Sequence, residues 1–153
     1  MSVEIIQIVT GFVGSVCFAV LFNMKGSRLV AASIGGLLSW TLFVLFSLFI
    51  PSEPMNYFFV AVLISVYAEV FARVLKTPAT PLITVGLLPL IPGGSLYRTF
   101  GSAFDASFGV FSERAFYTLK LAAALALGTV VVVAFWRFFT IKVVDTRKRH
   151  NAT

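Results

Sequence analysis

The chain alternates between long apolar runs and short polar, proline- or glycine-bearing joints. The runs are Ile5 to Phe22, Leu29 to Ile50, Met55 to Leu75, Pro78 to Phe100 and Ala115 to Phe139. Crossing the hydrocarbon of a bilayer takes about 20 residues of helix, and each run meets or approaches that length. The pattern predicts an all-α membrane protein with five transmembrane helices. The fourth is the least regular, because Pro78, Pro81, Gly86, Pro89, Pro92, Gly93 and Gly94 interrupt it. Proline removes a backbone donor and frees a carbonyl one turn earlier, and glycine permits turns that other residues resist. The fourth helix is therefore expected to kink or unwind around Pro89 to Gly94. Residues 1–140 form one five-helix transmembrane domain in this reading, and 141–153 a basic cytoplasmic tail, with no soluble domain.

The first run differs from a signal peptide. It follows Met1-Ser2-Val3-Glu4 rather than a basic start, extends over eighteen residues and lacks a small-residue cleavage site, so an uncleaved span is expected. Small residues recur at four-residue spacing: Gly11, Ser15 and Ala19 in span one, Ala31 with Gly35 and Ala32 with Gly36 in span two, Ala124 with Gly128 in span five. Lipid offers no hydrophobic force between helices, so such stripes predict packing by close backbone approach. Pro51 closes span two and Pro54 opens span three. Trp136, beside Arg137, is expected at the membrane interface, and the deeper Trp40 inside the bundle.

Composition agrees. Of 153 residues, 59% are hydrophobic and only 12% charged, about half the charged share of a soluble domain. The net charge of +6 is not a nucleic-acid signal, because the cations follow the loops. Lys25, Arg28, Arg73, Lys76, Arg137, Lys142, Arg147, Lys148 and Arg149 share one side of a five-span chain. Arg98, Arg114 and Lys120 fall on the other, with Glu4, Glu53, Asp105 and Glu113. Basic loops stay in the cytoplasm, so the N-terminus is expected outside and the C-terminus inside. The tail Thr146 to His150 sets topology or binds anionic membrane lipids. Asn151-Ala152-Thr153 matches a glycosylation pattern by chance on that side. Cys17 permits no internal disulfide and reads as a small packing residue. His150 stands alone, so no metal site is expected.

Two features carry possible chemistry. Glu69 and Arg73 stand four apart inside span three, acid first, which is the favourable order for an ion pair on one helix face. They form a structural salt bridge near the cytoplasmic end, or Glu69 is a proton- or solute-coupling carboxylate facing the interior. The interrupted segment is the second. Carbonyls freed by Pro89 and Pro92, and the amides of a new helix start at Gly93-Gly94-Ser95, suit a polar solute, carboxylates above all. Thr80, Thr84, Ser95 and Tyr97 add hydroxyls. The alternative is a proline kink that serves packing alone. No HExxH, Walker loop, GxSxG or intramembrane aspartate pair appears, so neither enzyme activity nor a cofactor is expected.

The run Ala68-Glu69 through Arg73, Lys76 and Pro78, then Pro89-Leu90-Ile91-Pro92-Gly93-Gly94 and Tyr97, resembles the threonine/serine exporter family. More narrowly, it is similar to the short component that makes up the C-terminal half of fused exporters. Phe22-Asn23 and the glycine-rich second span fit the same pattern, which adds Asn23 to the candidate substrate or coupling residues. The resemblance implies a multi-pass subunit of a bacterial cell (inner) membrane, acting with a larger membrane partner of the same family. It implies export of threonine and serine, or of dicarboxylates such as succinate, driven by the proton gradient. A homo-oligomeric channel and a non-transporting scaffold or assembly factor are the alternatives.

Overall fold

A computed structural model describes residues 2–105 and 108–150, with side chains over 5–104 and 108–138. Helix α1 spans Ser2–Leu21, α2 Ser27–Ser47 and α3 Glu53–Val74. Helix α4 (Ala79–Leu87) passes through a 3-10 turn at Leu88–Leu90 to α5 (Gly93–Asp105), and α6 runs over Phe108–His150. No strand occurs among the described residues. By length and apolar character α2, α3 and residues Phe108–Phe138 of α6 suffice to cross a membrane alone, and α4 with α5 adds one bent pair. Helix α6 starts before the expected Ala115 and continues past residue 140 through the basic segment as far as His150. The tail's side chains and Asn151-Ala152-Thr153 lie outside the described residues, as does the side chain of Asp105.

The joints follow from local backbone chemistry. Helix α1 ends with Asn23 in the left-handed region (φ 54°). The Met24 amide donates to the Ala19 carbonyl at 3.0 Å and the Asn23 amide to Val20 at 2.8 Å, a Schellman closure of otherwise orphaned carbonyls. Helix α3 ends the same way on Lys76 (φ 49°), with the Thr77 amide donating to Ala72 at 2.8 Å. Gly26 precedes α2 at φ 58° and ψ −133°, a conformation open mainly to glycine. Pro54 sits in the first turn of α3, where its missing N–H costs nothing.

The interior is small and the exterior large. Ala31, Ala32, Gly35 and Gly36 of α2 are buried, as are Ala61, Ala68 and Ala72 of α3. Ser15, Ser39 and Ser65 are buried with them, whereas no phenylalanine is buried among the described residues. Water would drive the phenylalanines inward; lipid leaves them outside and rewards backbone approach instead. The contacts show how close that approach is. Gly36 meets Ser15 of α1, and Gly35 lies against both Gly86 and the Tyr67 ring. A Cβ on Gly128 would stand 2.6 Å from the Phe58 carbonyl of α3. The Tyr67 hydroxyl donates to the Ala31 carbonyl at 2.9 Å, and the Asn56 side-chain Nδ2 to the Phe43 carbonyl at 3.0 Å, tying α3 to α2. Cys17, expected to pack, is exposed on the far side of α1.

Candidate functional site

Proline places the interruption. Pro89 and Pro92 cannot donate; Leu88 stays helical before Pro89 (φ −55°, ψ −43°), but Pro92 pushes the residue before it out of the helical region. Ile91 accordingly sits at φ −59°, ψ 123°. The chain turns by 59° between residues 79–90 and the helix that follows. The Gly93 amide folds back to the Ile91 carbonyl at 2.6 Å, and Leu96 to Pro92 at 2.9 Å. The amides of Gly94 and Ser95 are left in the first turn of α5, where a helix has no internal acceptor for them. A Cβ on Gly93 or Gly94 would meet nothing within 4 Å, so this turn is open.

The front of the break closes against α1. A Cβ on Gly11 would lie 3.5 Å from Pro89 and 3.8 Å from Trp40. Above that contact a cavity of about 370 Å³ is lined by Gln7, Thr10, Gly14, Trp40, Leu88 and Pro89. The Trp40 indole stacks on Phe43 at 5.3 Å, and its buried Nε1 has no hydrogen-bond partner. A buried donor without a partner carries a cost of about 1–3 kcal/mol. Gln7, Thr10 and Trp40 are absent from the sequence-based candidates. The signal existed: Gln7, Thr10, Gly11 and Gly14 fall at i, i+3, i+4 and i+7, one polar and small face of a helix.

Glu69 and Arg73 lie elsewhere. Arg73 Nη2 stands 3.8 Å from Glu69 Oε2, with the Glu69 side chain 13% exposed and that of Arg73 51%. The guanidinium also lies 4.5 Å over the Trp136 ring. A cation held on a ring face gains on the order of 0.5–2 kcal/mol, so Arg73 bridges α3 to α6 as well as facing Glu69. Leu87 and Leu90 share a core with Tyr57, Val60 and Ala61, which sets the break level with the first half of α3. Glu69 is therefore roughly 15 Å farther along the helix axis, at 1.5 Å per residue. Acid and break are not one constellation within this chain. They are two stations along the bundle.

The remaining candidates divide. Asn23 takes the left-handed position that ends α1, which explains an asparagine there without a ligand, and it also lines a cavity of about 430 Å³ with Lys25, Arg28 and Thr77. Ser95 lines a different cavity, beside α6. Tyr97 is 80% exposed and faces away from the bundle. No group of three or more potential metal ligands occurs among the described residues.

No characterised protein and no solved structure matches the chain. A family model described as the threonine/serine exporter, ThrE, matches residues 7–135. That stretch holds the α1 groove, the break, the Glu69–Arg73 pair and the Trp136-bearing helix up to its last turns, and on it the chain belongs to the threonine/serine exporter family.

Proposed function

We propose that this chain is the short subunit of a two-component exporter for small carboxylate-bearing solutes, threonine and serine or dicarboxylates such as succinate. The observation that carries the reading is the opened helix at Leu88–Pro92 facing a groove lined by Gln7, Thr10 and Trp40. Irregular backbone at membrane depth persists where protein or a water-filled path surrounds it. In the groove the solute meets Gln7, Thr10 and Trp40, and past the break the Gly94 and Ser95 amides offer donors to its carboxylate. Glu69 takes the proton that couples export to the gradient, beside Arg73 at 3.8 Å.

The chain crosses the bacterial cell membrane five times in this reading. Helix α1 is the fifth span: its 20 residues reach about 30 Å at 1.5 Å per residue. The N-terminus is outside and the basic C-terminus in the cytoplasm, so the Asn23, Lys25 and Arg28 cavity is the entry side. The open turn at Gly93-Gly94 is where the larger partner of the family covers backbone that lipid does not solvate. Proteoliposomes loaded with labelled threonine or succinate test the proposal. Efflux that needs both chains and a proton gradient is expected. Efflux from this chain alone, indifferent to the gradient, would make it a homo-oligomeric channel, and no efflux in any combination would leave a scaffold.

A further inference from the structure

A cavity larger than the groove at the break opens elsewhere in the bundle. It measures about 630 Å³ and lies between α5 and α6, lined by Ser95, Arg98, Glu113, Arg114, Tyr117, Thr118 and Lys120 among others. Three cations thus face one acid. Among the described residues none of Arg98, Arg114 and Lys120 is ion-paired. Arg114 Nη1 donates only to the Arg98 carbonyl, at 3.4 Å. Glu53, the other acid at this end with a described side chain, accepts instead from the Tyr117 hydroxyl. Arg98, Arg114 and Lys120 are exposed at the rim of the cavity, where gathered positive charge raises the local concentration of anions.

The cavity is held in shape. Thr99 and Thr118 share a hydrogen bond at 3.0 Å across the two helices, and Ser102 donates to the Thr99 carbonyl at 2.8 Å. All three are buried, while Tyr97, Phe100 and Phe104 project outward from the same helix. Helix α5 thus turns its hydroxyls toward α6 and its aromatic rings toward the surroundings. Ser95 lies in the first turn after the break, so the cavity begins where the opened helix ends.

We infer that this α5–α6 cavity is an oxyanion site, separate from the groove at Pro89, that takes small carboxylates with Arg98, Arg114 and Lys120. Its role as the last station before release rests on the exporter reading; the binding itself does not. Its lining holds three cations and one acid, and with Glu53 on the lining Tyr117 an excess of positive charge remains, which matches an anion better than a zwitterion. The phosphate of a lipid headgroup offers the same oxyanion chemistry, and the experiment separates the two.

The full chain in phosphatidylcholine nanodiscs is titrated calorimetrically with succinate, threonine and inorganic phosphate, then again in discs containing phosphatidylglycerol. Saturable succinate binding, weakened about tenfold or more by the double variant Arg98→Gln and Arg114→Gln, is expected, since the variant removes two charge-assisted donors. Glu113→Gln should tighten binding, a gain that misfolding cannot imitate. Unchanged affinity in both variants overturns the site. So does succinate binding abolished by phosphatidylglycerol while that lipid co-purifies with the wild type and not with the double variant, because the cavity then holds a headgroup. Should the variants behave as expected while no pairing with a partner yields efflux, the exporter reading fails and the site stands.

Discussion

Gly128 is where packing between α3 and α6 has least room. A Cβ there would come 2.6 Å from the Phe58 carbonyl, 2.9 Å from the Ala61 Cβ and 3.3 Å from the Val62 amide. Two of those three are backbone atoms of α3, which no rotamer change moves. Gly128→Ala must push the helices apart, and overpacking of this kind costs about 1–3 kcal/mol. The same substitution gains up to about 1 kcal/mol of helix propensity anywhere in a helix interior. Gly101, in the interior of α5, has nothing within 4 Å of its built Cβ and receives only that gain. The difference between Gly101→Ala and Gly128→Ala therefore isolates the contact. Midpoints of sodium dodecyl sulfate unfolding in mixed micelles should place Gly128→Ala roughly 1–3 kcal/mol below Gly101→Ala. Equal midpoints would refute backbone-close packing of α3 on α6, and with it the claim that small residues hold this bundle together.

Two further outcomes follow from the same geometry. Glu69→Gln should leave membrane expression normal and cut proton-driven efflux about tenfold, equivalent to ~1.4 kcal/mol on the limiting step; unaltered efflux would reduce Glu69 to an ion-pair partner of Arg73. Lys76→Gly should raise the unfolding midpoint by about 0.5–1 kcal/mol, because glycine escapes a left-handed penalty of ~1–2 kcal/mol and loses part of that gain to chain entropy. A lower midpoint would mean that the Lys76 side chain, rather than its backbone, matters at the end of α3.

Apolar run length was enough to place α2 and α3 within a few residues, because lipid imposes both the length and the composition of a span. The small-residue stripes gave the packing faces of α1 and α2, and Gly36 does meet Ser15. Other features depend on pairing between helices, which periodicity in one helix does not encode. Trp136 is expected at the membrane interface from its place beside Arg137, but its contact with Arg73 needs the register of α6 on α3. The distance between Glu69 and the break is of the same kind: adjacent in sequence terms, they separate because α4 runs back along α3. The start of α6 at Phe108 was obscured by Ser112, Glu113 and Arg114, polar residues that end an apolar run without ending a helix. Cys17 was misplaced because a cysteine between two packing positions carries no mark of the face it takes.

The central claim is that the groove at the opened helix is hydrated and meets the solute. Gly14 lines that groove and has open space where a side chain would grow, so Gly14→Cys introduces a thiol without a clash. Val13, exposed on the same helix but outside the groove lining, supplies the lipid-facing control, and Cys17→Ala removes the native thiol. With the partner present in sealed vesicles, a membrane-impermeant maleimide should label Gly14→Cys and not Val13→Cys, and transported threonine or succinate should slow the labelling. Equal silence at both positions, or labelling at Gly14→Cys that no solute slows, would contradict the account.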